Sequence, residues 1–119
     1  MASSADPAGD PREQAASTAA GAFDIERLDD VIHGRVRLGV LAHLIKTEVA
    51  DFNELKSVLH VTQGNLSMHL RKLEEAGYAH IEKGYLGRRP RTQVRLTSAG
   101  RRAFAKYLSA IEQLVTQLR

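Results

Sequence analysis

Apolar side chains recur at helical spacing along most of the chain. A first short stripe contains Leu28, Val31 and Ile32, and a second covers residues 36–45 after a break near Gly34. Residues spaced at i, i+3 and i+4 share one face of an α-helix. The pattern therefore predicts one helix over the first stripe and another over the second.

Two further helices are predicted, with about three residues between them. One covers residues 53–59 and the next covers residues 63–76, where Gly77 stands at the position of a C-terminal cap. The inward residues of the shorter helix are predicted to be Leu55, Val58 and Leu59. Two helices joined by so short a turn have the dimensions of a helix-turn-helix.

The apolar period changes from about 3.6 to two after Tyr78. Apolar and polar side chains alternate on both sides of residues 84–90, which predicts a two-stranded hairpin with a long basic tip. Thr97 or Ser98 can cap a final helix, whose apolar stripe continues to Leu118. The predicted order is four helices, a hairpin and a last helix, a mainly α (α+β) fold.

The first 22 residues differ in composition from the rest. They contain eight alanines together with Ser, Gly, Pro and Asp, and no large apolar side chain after Met1. Such a segment cannot bury enough surface to offset the entropy cost of ordering it. We expect a disordered tail over residues 1–22 and one folded domain over residues 23–119, a size that suits a single core.

The outer face of the helix over residues 63–76 is polar and basic, whereas Leu66, Leu70 and Leu73 share its inner face. A helix that enters the major groove presents the side chains of its first turns to base edges. Candidate DNA contacts here are Thr62, Gln63, Gly64, Asn65, Ser67, Met68, Arg71 and Lys72. An ordinary solvated helix would show the same pattern, so this helix alone does not decide the function.

The predicted hairpin is strongly basic. From Lys83 to Lys106 there are eight Lys or Arg residues and no Asp or Glu, in a chain of formal net charge +3. Arginines crowded on a short loop repel each other, and an external polyanion such as DNA would relieve that repulsion. Candidate DNA contacts on the hairpin are Lys83, Arg88, Arg89, Pro90, Arg91 and Thr92. The alternative is a loop that serves only solubility.

Four segments carry a resemblance to a known family: FNELK (52–56), GNLSMHLRKLEEAGY (64–78), GRRPRT (87–92) and LTSAGR (96–101). In this order they are similar to the winged helix-turn-helix superfamily, in the branch of ArsR-type and MarR-type bacterial regulators. The resemblance covers about residues 28–118. It implies a winged helix-turn-helix that binds a pseudo-palindromic operator as a homodimer. It also implies that the helix beginning near Gln63 enters the major groove of DNA and that residues 88–91 contact the DNA backbone or the minor groove.

The apolar stripe of the last helix is longer than a domain of this size covers with its own core. A second copy of the first and last helices would close a symmetric dimer. Candidate dimerisation residues are Leu28, Val31, Ile32, Tyr107, Leu108, Ile111, Leu114, Val115 and Leu118. The alternative is a last helix that folds back entirely on its own domain.

No pattern indicates catalysis, a cofactor or a metal site. The five histidines lack ligand spacing, and there is no cysteine. No local motif supplies a nucleophile with its base and orienting acid. ArsR-type metal sensors use Cys clusters, or His and carboxylates on the last helix, whereas this chain has no His after His80. We therefore expect no enzyme, no cofactor and no metal.

The sequence leaves two hypotheses. The first is a sequence-specific double-stranded DNA-binding transcriptional regulator that acts as a homodimer. The second is a winged-helix protein-interaction module without specific DNA binding, which would dock through the same helix and hairpin. No signal peptide or membrane-spanning stretch is indicated, so we expect a cytoplasmic protein without a membrane partner. A small-molecule effector or a partner protein is left open.

Overall fold

The helices and strands follow each other in an order close to the predicted one. The computed structural model describes residues 23–119, so the expected tail over residues 1–22 lies outside the described residues. The helices are α1 (Arg35–Thr47), α2 (Phe52–Leu59), α3 (Gln63–Glu75) and α4 (Ser98–Leu118), and a 3-10 turn (Ile25–Arg27) precedes them. The strands are β1 (Val49–Asp51), β2 (Ala79–Leu86) and β3 (Arg89–Leu96). The predicted α+β winged helix-turn-helix fold is confirmed.

One apolar core joins the four helices to the sheet. Its large buried members include Ile32, Leu41, Leu44, Leu55, Leu66, Leu70, Leu73, Phe104 and Tyr107. Burying a large apolar side chain stabilises the fold by about 1.5–3 kcal/mol. The three leucines of α3 are almost completely buried, so the core fixes the rotation of this helix about its own axis and determines which residues point outward.

The sheet has three antiparallel strands in the order β1-β3-β2. The predicted hairpin forms from β2 and β3, with Ala79 opposite Leu96 at its base. β1 pairs with the base of β3, where Ala50 lies opposite Val94. The sequence did not predict β1, because three residues are too few to display a period of two.

The wing, defined as β2 and β3 with the turn between them, is longer and tighter than predicted. The strands continue to Leu86 and Arg89, so residues 87–88 alone form the turn instead of a long loop over residues 84–90. Gly87 has φ +64°, as a two-residue hairpin turn requires at its first central position. Pro90 therefore lies within β3, beyond the residues that pair with β1.

The first predicted helix does not form. Residues between the 3-10 turn and α1 adopt successive turns. The Asp29 carboxylate accepts hydrogen bonds from the backbone N–H groups of Val31 (2.8 Å) and Ile32 (3.3 Å). A side chain that captures these N–H groups offers the backbone an alternative to helical bonding.

Helix α4 starts at a well-defined cap. The Thr97 hydroxyl accepts a hydrogen bond from the backbone N–H of Gly100 (2.9 Å) and donates one to the carbonyl of Gly77 (2.6 Å). A Cβ at Gly100 would lie 2.1 Å from the carbonyl oxygen of Tyr78, so only glycine allows this approach. Residue 77 has φ +81° and ends α3 as predicted. Among the described residues, no helix is long and apolar enough to cross a membrane.

Candidate nucleic-acid interface

The turn between α2 and α3 positions the candidate recognition helix. His60 adopts the left-handed conformation (φ +55°, ψ +49°) that ends α2. Two residues later, the Thr62 hydroxyl accepts a hydrogen bond from the backbone N–H of Asn65 (3.2 Å) and caps α3. Val58 was predicted to face inward but is exposed, because the inner face of this short helix is defined by Leu55 and Leu59, which are four residues apart.

The outer surface of α3 carries the predicted recognition residues. Gln63, Gly64, Ser67, Met68, Arg71 and Lys72 are exposed and Asn65 is half-buried. The carboxylates of this helix, Glu74 and Glu75, lie at its C-terminal end. Its first two turns therefore expose amide, hydroxyl and thioether groups without an acidic residue among them, and the guanidinium of Arg71 follows in the third turn, next to these carboxylates.

Hydrogen bonds of one arginine link α3 to α1 and to the segment that precedes α1. Arg37 of α1 hydrogen bonds through Nη1 to Nδ1 of His69 on α3 (2.8 Å), and its Nε donates to the carbonyl of Val31. Burial, together with the charges of Arg37 and Lys72, lowers the pKa of His69. A neutral His69 can accept the hydrogen bond from the guanidinium, so this residue positions α3 structurally.

The three arginines nearest the tip of the wing do not have equivalent surroundings. Arg88 occupies the turn, Arg89 starts β3, and both are exposed. The Nε of Arg91 lies 3.8 Å from the Asp51 carboxylate of β1 and its side chain is partly covered. Since a nearby carboxylate offsets part of its charge, Arg91 contributes less to the potential of the tip than Arg88 and Arg89 do.

A cleft of about 400 Å³ lies between the outer side of α3 and the wing. The polar residues that line it are Gln63, Ser67, Arg71 and Glu74 from α3 and Lys83 and Thr92 from the wing. Its apolar lining residues are Phe52, Leu70 and Ile81. The cleft brings residues predicted independently on the helix and on the wing to one surface, and two of its three charged side chains are cationic.

Besides His69, two other histidines are engaged in structural contacts. His43 of α1 lies 2.6 Å from the Glu54 carboxylate of α2, and this hydrogen bond lowers the pKa of Glu54. His33 lies 2.6 Å from the hydroxyl of Tyr107. Within residues 23–119 no group of three His, Cys, Asp or Glu side chains is placed to hold a metal ion.

The structure divides the candidate dimerisation residues into two groups. Ile32 and Tyr107 are buried in the domain's own core, so they present no exposed apolar surface to a partner. Leu108, Val115 and Leu118 are exposed by 49%, 43% and 77%. The remaining candidates, Leu28, Val31, Ile111 and Leu114, are half-buried. An apolar stripe identifies one face of a helix but not how far the core covers it.

Besides Val58, three exposed apolar residues were not predicted to belong to the DNA-binding surface or to the dimerisation surface. Ile25 lies in the 3-10 turn, which packs near α4, and its spacing of three from Leu28 was the available signal. Tyr85 and Leu86 are the last two residues of β2. Tyr85 continues the alternation of Ile81 and Lys83, which could have placed it on the wing surface that borders the cleft.

Comparisons with known proteins agree with this geometry. The family model of the winged helix DNA-binding domain matches residues 36–115. The Methanocaldococcus jannaschii protein MJ0432 is 40% identical over 84 residues, which cover 71% of this chain and 91% of that protein. A transcriptional regulator homologue from Pyrococcus horikoshii has a TM-score of 0.73 and 32% identity, covering 78% of this chain and 93% of that one.

A more distant structure is that of the transcriptional regulator MOSR of M. tuberculosis, solved in complex with DNA. It has a TM-score of 0.61 and 20% identity, covering 90% of this chain and 76% of that one, a likeness of fold alone. The family and the fold of the chain are those of transcriptional regulators rather than of enzymes.

Proposed function

The chain belongs to the winged helix DNA-binding domain family, and we propose that it is a sequence-specific transcriptional regulator that binds double-stranded operator DNA as a homodimer in the cytoplasm. The observation that carries this proposal is the cleft in which polar residues of α3 and of the wing meet. A helix and a wing on one surface can contact a groove and the adjacent backbone together. That surface is basic, as a partner made of phosphates requires.

The outer face of α3 has the chemistry for direct readout of bases. Amide side chains such as Gln63 and Asn65 can pair with adenine, and the guanidinium of Arg71 matches the acceptors of guanine. The Met68 side chain, which is exposed, can contact the methyl group of thymine. Gly64 has no protein atom within 4 Å of the position a Cβ would occupy, so its surface is open to close approach by DNA.

The wing supplies contacts that do not depend on sequence. Arg88 and Arg89 lie at the end of a two-stranded hairpin, where they can reach phosphates or a narrow minor groove. Lys83 and Thr92 lie directly opposite each other nearer the base and line the cleft. They are suited to contact the phosphate backbone of the DNA strand that would pass between the wing and α3.

Dimerisation is supported by the C-terminal part of α4. A helix of 21 residues is about 31 Å long, and its last fully buried residue is Ala110. Beyond that position Val115 and Leu118 present apolar side chains to solvent. The same face of a second copy would cover them and place two copies of α3 on half-sites about one helical turn apart.

The test is selection of bound fragments from genomic DNA with the purified chain, followed by fluorescence anisotropy on the enriched sequence. A two-fold motif bound at least about 1,000 times more tightly than random duplex is expected. Val115→Glu with Leu118→Glu should make the chain monomeric in sedimentation and weaken binding to the full site more than to a half-site. Sequence-independent or absent binding would favour the protein-interaction hypothesis, for which affinity capture with the wing variants is the next experiment.

A further inference from the structure

The wing ends in two apolar side chains that the core does not use. Tyr85 is 74% exposed and Leu86 is 61% exposed, although both lie in an ordered strand that ends at the turn. Each of these side chains is available to contact another molecule at the end of the hairpin. Their position next to Arg88 and Arg89 indicates a partner that is both polyanionic and partly apolar.

The register of the hairpin places these two residues on opposite faces. Tyr85 lies opposite Pro90, and the next pair on the same face is Lys83 with Thr92, both of which line the cleft beside α3. Leu86 lies opposite Arg89 on the other face, since side chains alternate along a strand. Tyr85 therefore belongs to the face of the wing that borders the proposed DNA surface, and Leu86 does not.

We propose that Tyr85, backed by Pro90, is an apolar contact that enters the minor groove beside the half-site and makes the chain sensitive to the sequence there. Proteins that bind the minor groove often place apolar side chains against it. A phenol ring packed against sugars neutralises no phosphate, so its contribution to affinity does not depend on salt. The arginines at the tip supply the salt-dependent attraction, and Tyr85 supplies the fit to the groove.

This contact gives selectivity at base pairs that α3 does not reach. The minor-groove edge of a G·C pair carries the N2 amino group of guanine, which an A·T pair lacks. That amino group occupies the floor of the groove where the ring would lie. We therefore expect binding sites flanked by A·T pairs to be favoured over sites flanked by G·C pairs, although both present the same phosphates.

The inference rests on the proposed DNA-binding function, and the experiment separates the two. Wild-type chain, Tyr85→Ala and Leu86→Ala are compared by anisotropy on the selected site with A·T, G·C or inosine·C flanks. Inosine lacks the guanine amino group but keeps the major-groove acceptors. Leu86→Ala is the matched control, because it removes a similarly exposed apolar side chain from the opposite face.

For the wild type we expect A·T and inosine·C flanks to bind alike and G·C flanks to bind about 10-fold more weakly. Tyr85→Ala should lose about 10-fold on A·T flanks, abolish the difference between flanks and leave the slope of log K against log salt unchanged. Tyr85→Phe should behave as the wild type. Leu86→Ala should have no effect.

Three outcomes would overturn the inference while the proposed function survives. The first is equal loss in the Tyr85 and Leu86 alanine variants. The second is a change of salt slope in Tyr85→Ala, which would mean that the ring only positions the arginines. The third is loss of binding in Tyr85→Phe, which would assign the effect to a hydroxyl contact. If the wild type binds no sequence specifically, the proposed function itself is wrong.

Discussion

Replacing the two exposed arginines at the tip of the wing with alanine tests the electrostatic part of the proposed interface. Arg88 and Arg89 are exposed at the hairpin turn, whereas Arg91 is partly covered and lies 3.8 Å from a carboxylate. The double variant Arg88→Ala/Arg89→Ala should therefore remove most of the attraction of the wing tip for phosphates and leave the strand pairing intact.

The expected magnitude follows from counterion release. Each phosphate neutralised on B-DNA contributes about −0.9 to the slope of log K against log salt concentration. Two wings with two arginines each would account for about −3.6, or about −1.8 if only one arginine per wing touches a phosphate. At about 0.1 M salt the variant should lose between about 60-fold and 4,000-fold in affinity for DNA. At about 0.3 M salt the loss of affinity should be between about 9-fold and 80-fold.

Anisotropy titrations across a salt series on the selected site measure both quantities. The matched control is Arg35→Ala/Arg119→Ala, which removes the same charge from two exposed positions outside α3 and the wing. The control should change the slope little. If the wing variant loses affinity by the same factor at every salt concentration, or loses none, these arginines do not contact phosphates and the reasoning is wrong.

Three further predictions follow from the structure. Gly100→Ala should destabilise the fold by about 1–3 kcal/mol in chemical denaturation, because the new Cβ would meet the Tyr78 carbonyl. In the matched control Gly64→Ala the new Cβ meets no atom within 4 Å, so this variant should not be destabilised. Equal stability of the two variants would contradict this account. Asn65→Ala should change which bases are preferred at one position of the half-site, as a repeated fragment selection would reveal, and should leave the salt dependence of binding unchanged. An equal loss of affinity on all sequences would mean that Asn65 contacts phosphate. The hydrogen bond to the Asp29 carboxylate raises the pKa of Tyr78 to about 12, so the folded state keeps this proton where the unfolded chain loses it. The resulting contribution to the free energy of unfolding is complete below about pH 10 and is lost as the pH rises towards 12. The free energy of unfolding of Tyr78→Phe should lack this decrease between pH 10 and pH 12. Identical pH profiles of the variant and the wild type would refute the prediction.

The features predicted correctly from sequence are those encoded within one element. The inner leucines of α3, the glycine that ends it and the threonine that caps α4 are local signals, and the structure confirms each of them. The prediction of a long loop at the tip was wrong because Gly87 alone supplies the positive φ that a two-residue turn needs. The strands could therefore continue to the end of the wing.

The features that were missed depend on residues far apart in sequence. β1 exists because β3 provides its hydrogen-bonding partners, which lie more than 40 residues later. The contact of Arg37 with His69 and that of His33 with Tyr107 join residues 32 and 74 positions apart. No periodicity encodes such pairs. Only the folded chain could place Tyr107 in the core.

The junction at Gly77 and Tyr78 couples the helix proposed to read DNA to the helix proposed to form the dimer. The Thr97 hydroxyl bonds to the carbonyl of Gly77, and Gly100 packs against that of Tyr78, so the end of α3 and the start of α4 are joined directly. In the proposed dimer, the angle at which two copies of α4 cross would then set the separation of the two copies of α3. One additional base pair between half-sites shifts one of them by about 3.4 Å and rotates it by about 35°. A molecule that changed the crossing angle would change which spacing is bound.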